Sequence, residues 1–157
     1  MGAVEDRIAE LGLSLPEVTP PLAAYVPAVL DGSRVYVSGQ LPLVDGALPE
    51  TGVVGELVGL VSAEVAHRLA GVCALNAIAA IRSVVGELDR VERIVKVTGF
   101  VASDPSFTGQ PAVVNGASEL FGKVFGDAGV HARSAVGVAA LPLGAPVEVE
   151  VIAHVRD

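Results

Sequence analysis

The sequence is poor in aromatic residues and in cysteine. It has no tryptophan, aromatic residues make up 4% of the chain, and Cys73 is the only cysteine. The core must therefore be built from closely packed Ala, Val, Leu and Ile, and no intrachain disulfide can form. Cys73 lies in an apolar stretch with helical periodicity, so we expect it to be a small core residue. The N-terminal segment is acidic and mixed and does not resemble a signal peptide. Together with the single cysteine, this predicts a cytoplasmic location.

Positive charge is also scarce. Ten Lys and Arg residues stand against 18 Asp and Glu, which gives a formal net charge of −8. Arg90, Arg93 and Lys96 come nearest to a basic cluster, but Asp89 and Glu92 interrupt it. Such a surface repels phosphate backbones, so we expect no nucleic-acid partner. No apolar run reaches the roughly 20 residues that a membrane span needs, so we expect no membrane partner either.

The sequence lacks the common motifs for metals and cofactors. His67, His131 and His154 are scattered and show no metal-ligand spacing. The stretch SGQLPLVDG has neither the glycine spacing nor the lysine of a phosphate-binding loop, and no G-x-S-x-G sequence occurs. We therefore expect no metal and no organic cofactor.

The residues that are present predict one α+β domain over 1–157, with 1–21 as an N-terminal helical extension. Hydrophobic residues make up 52% of the chain, as in a globular protein. A short helix is predicted over 5–11, and the prolines at 16, 20, 21 and 27 keep the following chain extended. Two long helices are predicted, one after Ser62 and ending near Gly86, the other from Pro111 to Gly126. Strands are predicted over 28–30, 34–40, 91–102, 133–141 and 147–156, with a short edge strand possible over 53–58.

This order of elements predicts a mixed sheet of five to six strands with both long helices on one face. In the stretch 134–141, the residues that point to either face of the strand are mostly apolar, so both faces of this strand must be covered. Two helices cover only one face. We infer that a second subunit supplies the missing cover and that the protein is a homo-oligomer.

The closing hairpin carries three charges in apolar surroundings. Arg133 stands at its entrance, and Glu148 and Glu150 alternate with valines near its exit, so the two carboxylates share one face. Arg133 can be a salt-bridge partner, and the glutamates can form a solvated strand face. Alternatively, Arg133 binds a carboxylate through its planar fork, and a nearby glutamate holds a water or moves a proton. Whether Arg133 lies on the same face as Glu148 depends on the hairpin register, which the sequence leaves open.

Three segments resemble the RidA (YjgF) family. They are RVYVSGQLPL at 34–43, FTGQPAVVNGASELFGKVFG at 107–126 and HARSAVGVAALPLGAPVEVEVIA at 131–153. The similarity extends over about residues 22–155, and the A-R-S-x-V…L-P…V-E-V-E tail is its most specific part. The resemblance implies a chorismate-mutase-like fold and a homotrimer with clefts between the subunits.

The resemblance also implies an activity and a site. Characterised members hydrolyse reactive enamines and imines, such as 2-aminoacrylate, to 2-oxo acids and ammonia. Arg133 matches the arginine that binds the substrate carboxylate, and Glu148 matches the glutamate that handles the attacking water. Further matches line the cleft: Tyr25, the strand segment Ser38 and Gly39 with a backbone N–H on the ligand, and Asn115 on the second long helix.

The chain departs from the common family pattern in several places. The N-terminal helix is an extension, and the loop 103–111 looks longer than the common form. Ala135 stands where many deaminating members have a cysteine, and Ala23-Ala24 stand before Tyr25 where Gly-Pro is common. These differences indicate a divergent, longer branch.

Three functions are compatible with the sequence. One is an imine deaminase acting on a small carboxylated intermediate. Another is a trimer that binds a 2-oxo acid without turnover or acts like a chaperone. A third is an endoribonuclease, an activity reported for some relatives, against which the net charge and the lack of an aromatic and basic surface both count.

Overall fold

A five-stranded mixed sheet organises the computed structural model, which describes residues 2–18 and 24–157. The strands are β1 (Ala28–Asp31), β2 (Arg34–Gln40), β3 (Val91–Ala102), β4 (Ala132–Val138) and β5 (Val147–Val155). Their order across the sheet is β1-β2-β5-β3-β4. β3 and β4 pair in parallel and the other neighbours pair antiparallel. The predicted α+β fold with a mixed sheet is confirmed.

Three α-helices complete the described fold: α1 (Ala3–Glu10), α2 (Ala63–Val85) and α3 (Gln110–Phe125). The Ser62 hydroxyl accepts the Val65 N–H at 3.2 Å, so it caps α2 as predicted. α2 packs on β1, β2 and β5, and α3 packs on β3 and β4. Both long helices therefore cover the same face of the sheet.

The contact between α2 and α3 is unusually close at Gly116. A Cβ placed on this residue would overlap the backbone carbonyl of His67 on α2. Only glycine lets the two backbones approach this closely. The helices thus form one layer with β-branched and small side chains beneath it, which suits a chain with few aromatics.

Cys73 of α2 lies in this core and is fully buried, as predicted. Burial raises the pKa of its thiol, and the negative charge of Glu148 raises it further. Among the described residues, α2 is also the helix that is long and apolar enough to cross a membrane. More than half of its most apolar window is buried inside the protein, however, as in the central helix of a globular fold.

The N-terminal helix α1 is anchored to the turn that precedes β3. Val4 and Ile8 are buried, and α1 packs on α3 and on the 3₁₀ turn Leu88–Arg90. The Asp89 carboxylate accepts the N–H groups of Ala3 at 2.9 Å and Val4 at 2.8 Å, so a distant residue caps the helix. These two bonds lower the pKa of Asp89.

Two details differ from the sequence-based expectation. Residues 53–58 form no strand: Val54 makes isolated bridges to Val61 and Ser103, and the segment between is loop. The strand expected over 133–141 ends at Val138, because the chain turns before the 3₁₀ turn Pro142–Gly144. Part of the extended segment predicted around the prolines, residues 19–23, lies outside the described residues.

The sheet face opposite the helices carries apolar side chains that this chain does not cover. Val29, Tyr36 and Val136 are between 44% and 49% exposed on this face. A depression of about 190 Å³ lies on it, with Tyr36, Lys96 and Glu150 among its lining residues. We call this surface the open face of the sheet.

Candidate functional site

Arg133 is held by three hydrogen bonds to α3. β4 places Arg133 beside the fully buried Val97 of β3, and so on the helix-covered side of the sheet. Its Nη1 donates to Asn115 Oδ1 at 2.7 Å and to Ser118 Oγ at 3.1 Å. Its Nη2 donates to the carbonyl oxygen of Pro111 at 3.3 Å. Within the single chain, no carboxylate of the described residues pairs with this arginine.

The remaining donors of Arg133 suit a bidentate ligand. A guanidinium has five N–H donors, and three of them are engaged. Within the described chain, the Nε–H and the second N–H of Nη2 have no acceptor in hydrogen-bond range. These two groups belong to one edge of the planar fork, and two parallel N–H donors match the two oxygens of a carboxylate.

Ser118 and His131 complete this arrangement, and the sequence analysis did not single out either as a site residue. Ser118 Oγ lies 2.9 Å from Nε2 of His131, whose Nδ1 lies 2.6 Å from the carbonyl oxygen of Gly129. A spacing signal was available for both. Ser118 follows Asn115 by three residues on one helix, and His131 precedes Arg133 by two residues, which places each pair on one face. We call Arg133, Asn115 and Ser118 the arginine half-site.

Glu148 occupies a different part of the molecule. The alternation of β5 puts Glu148 and Glu150 on the same face, as predicted, and this is the open face, while the valines between them are buried. Burial raises the pKa of Glu148, and the neighbouring Glu150 carboxylate raises it further. Its carboxylate lies against Gly39, where a Cβ would come within 2.8 Å of the Glu148 Cδ atom and overlap the carboxylate oxygen.

Ser38 precedes Gly39 on β2 and binds the segment that follows Tyr25. The register between β2 and β5 shifts between Val37 and Gln40, so Ser38 and Gly39 form a bulge beside Glu150. The Ser38 N–H donates to the Pro27 carbonyl at 2.9 Å, and its hydroxyl donates to the Val26 carbonyl at 2.7 Å. These bonds tie the segment that follows the exposed Tyr25 to the bulge. We call Tyr25, Ser38, Gly39 and Glu148 the glutamate half-site.

The two half-sites do not meet within one chain. Arg133 aligns with Val97 of β3 and with Val151 of β5, three residues along from Glu148. β3 lies between β4 and β5, so the strands that carry Arg133 and Glu148 are about 10 Å apart. The two side chains also leave opposite faces of the sheet. The closing hairpin expected from the sequence is therefore wrong: β4 and β5 do not pair, and strand order rather than a hairpin register separates Arg133 from Glu148 in the single chain.

No metal centre accompanies either half-site in the described part of the chain, where no group of three or more His, Cys, Asp or Glu residues is placed to hold an ion. His67 bonds instead to the Ala112 carbonyl at 2.8 Å, with Glu119 at 3.5 Å. His154 lies 3.1 Å from Glu92 and also contacts Arg34.

Comparison with known proteins identifies the family. Residues 5–155 match a family model described as "YjgF/chorismate_mutase-like, putative endoribonuclease". The chain belongs to this family. The five-stranded sheet, the two helices on one face and the parallel β3–β4 pair are thus those of the YjgF fold.

Individual relatives match over almost the whole chain. Protein TCP17 of Trypanosoma cruzi is 43% identical over 157 residues, which covers 99% of this chain and 96% of the relative. A solved structure from Shewanella oneidensis MR-1, which is named as an endoribonuclease, has a TM-score of 0.92 at 31% identity. The match covers 98% of this chain and 100% of the Shewanella chain. The structure of TdcF from E. coli with bound serine has a TM-score of 0.63 at 27% identity, covering 90% and 94%.

Proposed function

We propose that the protein hydrolyses small enamines and imines that carry a carboxylate, such as 2-aminoacrylate, to 2-oxo acids and ammonia in the cytoplasm. The observation that carries this proposal is the pair of N–H donors left on Arg133 beside three bonds that fix its guanidinium. A half-buried cation with one edge open is suited to a planar, bidentate anion. The serine bound to TdcF is also a small molecule with a carboxylate.

The proposed reaction needs one group that moves protons. The enamine first takes a proton from water at C3 and becomes the iminium ion. With the carboxylate of this ion on Arg133, Glu148 takes a proton from a second water molecule, and the water oxygen attacks the iminium carbon to give a neutral amino alcohol. Glu148 then returns its proton to the nitrogen, the C–N bond breaks, ammonia leaves, and the hydroxyl proton passes to solvent water as the 2-oxo acid forms. The raised pKa of Glu148 suits a group that both accepts and returns a proton.

This chemistry requires Arg133 and Glu148 from different chains. We propose a homotrimer whose clefts bring the arginine half-site of one subunit to the glutamate half-site of the next. The arginine half-site lies at the β4 edge of the sheet and the glutamate half-site on β2 and β5, and the open face exposes Val29, Tyr36 and Val136 for burial against other copies. A closed ring uses such unlike surfaces head to tail.

A coupled assay tests the activity. A PLP-dependent dehydratase generates 2-aminoacrylate from serine, and pyruvate release is followed with and without the protein. Acceleration that scales with protein concentration supports the proposal. No acceleration with several imines, together with tight pyruvate binding, would instead favour a trimer that binds 2-oxo acids without turnover.

Mixed trimers test the shared site. Arg133→Ala and Glu148→Gln subunits are each expected to form inactive trimers. When the two are co-assembled in equal amounts, about one quarter of the sites receive an intact arginine and an intact glutamate, because each subunit of a ring contributes one half. Recovery near that fraction supports the intersubunit cleft, and no recovery contradicts it.

The family description also names an endoribonuclease activity. The net charge of −8 argues against tight RNA binding, since few cations are available for counterion release. Filter binding at low salt is the test. A submicromolar affinity with a steep salt dependence would favour the nuclease over the deaminase.

A further inference from the structure

We infer that Ser118 and neutral His131 are positioning residues for Arg133: they fix its guanidinium so that the two free N–H groups face the substrate carboxylate. The inference rests on the proposed function, because it concerns how the same arginine is oriented. It adds to the proposed site a serine that contacts Arg133 and a histidine that contacts this serine.

The hydrogen bonds in this network have one consistent direction. The Gly129 carbonyl can only accept, so Nδ1 of His131 carries a proton and donates to it at 2.6 Å. Nε2 of the neutral ring is then an acceptor, and the Ser118 hydroxyl donates to it at 2.9 Å. A lone pair of the Ser118 oxygen accepts Nη1–H of Arg133 at 3.1 Å. Each group thus has a definite role only while His131 is neutral.

The ring of His131 is itself held in place. It packs edge-on against the fully buried Phe121, with ring centroids 5.9 Å apart and an interplanar angle of 80°. Together with the bond to Gly129, this contact fixes both the plane and the tautomer of the imidazole. A hydroxyl that hydrogen-bonds to a fixed ring is a better-defined acceptor for Arg133 than a freely rotating one.

The surroundings keep His131 neutral. Burial lowers its pKa, the positive charge of Arg133 lowers it further, and the Gly129 carbonyl opposes both effects. Arg133 is the charged group of the described residues that contributes to this shift, and the ring's other neighbours, Ser118, Gly129 and Phe121, carry no charge. Both bonds end on Ser118 Oγ, so Nε2 of His131 lies within about 6 Å of Nη1 of Arg133, where two positive charges would repel.

The steady-state arm of the test separates positioning from chemistry. Ser118→Ala removes one of the three bonds to Arg133 and should raise KM for 2-aminoacrylate about tenfold, with kcat changed less than twofold. His131→Ala should raise KM by a smaller factor. His131→Gln should restore KM to near the wild-type value, because the Gln Oε1 can accept the Ser118 hydroxyl. His67→Gln is the matched control, since His67 also bonds α3 but does not touch Arg133.

The second arm requires no turnover. The imidazole resonances of His131 are titrated by NMR in the wild type and in Arg133→Ala. Removal of the guanidinium should raise the pKa of His131. This arm tests the network even if the protein hydrolyses no imine, so failure of the proposed function and failure of the inference remain distinguishable.

Three results would overturn the inference. One is a His131 pKa that does not respond to Arg133→Ala, which would mean that the network does not form in solution. Another is a Ser118→Ala variant, intact as an oligomer, that keeps the wild-type KM or loses kcat instead. Equal defects in His131→Gln and His131→Ala would also contradict it, because the acceptor would then be irrelevant.

Discussion

Arg133 and Glu148 leave opposite faces of the sheet from strands separated by β3. Each nevertheless lies beside other residues that the sequence resemblance assigns to one ligand cleft. Asn115 bonds Arg133, and Gly39 lies against Glu148. A single chain therefore holds two partial sites, and the proposed chemistry requires a neighbouring copy to join them.

Arg133→Ala should abolish imine hydrolysis while leaving the oligomer intact, because no carboxylate of the described residues depends on this arginine. Loss of a charge-assisted bidentate contact is worth about 2–5 kcal/mol, or roughly a thirtyfold to several-thousandfold fall in kcat/KM. Arg133→Lys should rescue little, since an ammonium cannot form the paired, planar contact. Steady-state kinetics with light scattering checks both points. An active Arg133→Ala oligomer would show that the arginine is structural.

Glu148→Gln should slow turnover and stabilise the fold at neutral pH. Folding raises the pKa of Glu148, so its charged form is disfavoured in the folded state. The penalty is absent below the unfolded pKa near 4, grows as the pH rises from that value toward the raised folded pKa, and is complete above the folded pKa. Thermal unfolding should show a higher midpoint for the variant at pH 7.5, with a difference that shrinks toward pH 4.5. Glu56→Gln, an exposed loop glutamate, is the control and should show neither effect.

Gly39→Ala should impair catalysis without a change at Arg133. The added methyl would occupy the position of the Glu148 carboxylate, which must then move. We expect kcat to fall by about tenfold or more, as for a displaced catalytic group, while pyruvate affinity stays near the wild-type value. Gly122→Ala is the matched control, since a Cβ there meets no atom within 4 Å. A Gly39→Ala variant with unchanged kcat would exclude Glu148 from the chemistry.

Val136→Asp should prevent trimer formation. Val136 is 44% exposed on the open face at the β4 edge, where a second subunit is expected to cover it. Leu11 is 41% exposed at the end of α1, beside the helical layer, so Leu11→Asp provides a control of similar exposure. Light scattering at micromolar concentration should report a trimer for the control and smaller species for Val136→Asp. A wild-type protein that is a stable monomer would contradict the assembly.

Asp89→Ala should loosen α1 and lower the unfolding temperature at neutral pH. The carboxylate caps two backbone N–H groups, and these bonds lower its pKa. Since the folded pKa is depressed, this stabilisation is present at neutral pH and is lost as the pH falls below about 4. The wild type and the variant should therefore converge in acid. Hydrogen exchange at the amides of α1 gives a local readout, and unchanged protection there would show that the cap is unimportant.

The sequence predicts which helices and strands form better than it predicts the residues at which they begin and end. Alternation in 147–155 and the 3–4 spacing in 63–85 are strong signals, because each buries a continuous face. The segment 53–58 carries similar residues, but Val54 pairs only through isolated bridges to Val61 and Ser103, and strand formation depends on a partner rather than on propensity. The end of β4 at Val138 is likewise set by the turn that follows.

The candidate site was predictable by residue type but not by arrangement. The A-R-S and V-E-V-E segments mark Arg133 and Glu148, yet their separation depends on register and strand order, which are long-range properties. Metal-ligand spacing could not reveal the role of His131, because its partners are the Ser118 hydroxyl, the Gly129 carbonyl and the Phe121 ring. Asp89 as the cap of α1 was equally hidden, since 85 residues separate it from Val4.

The helix crossing at Gly116 restricts how this sequence can vary. The Cβ of any other residue there would overlap the carbonyl oxygen of His67, so α3 would have to move away from α2. That movement would shift Asn115 and Ser118 relative to Arg133. Gly122, six residues further along the same helix, meets no such obstacle. A library that diversifies α3 would therefore recover many residues at position 122 and almost exclusively glycine at 116, and this difference would arise even under selection for folding alone.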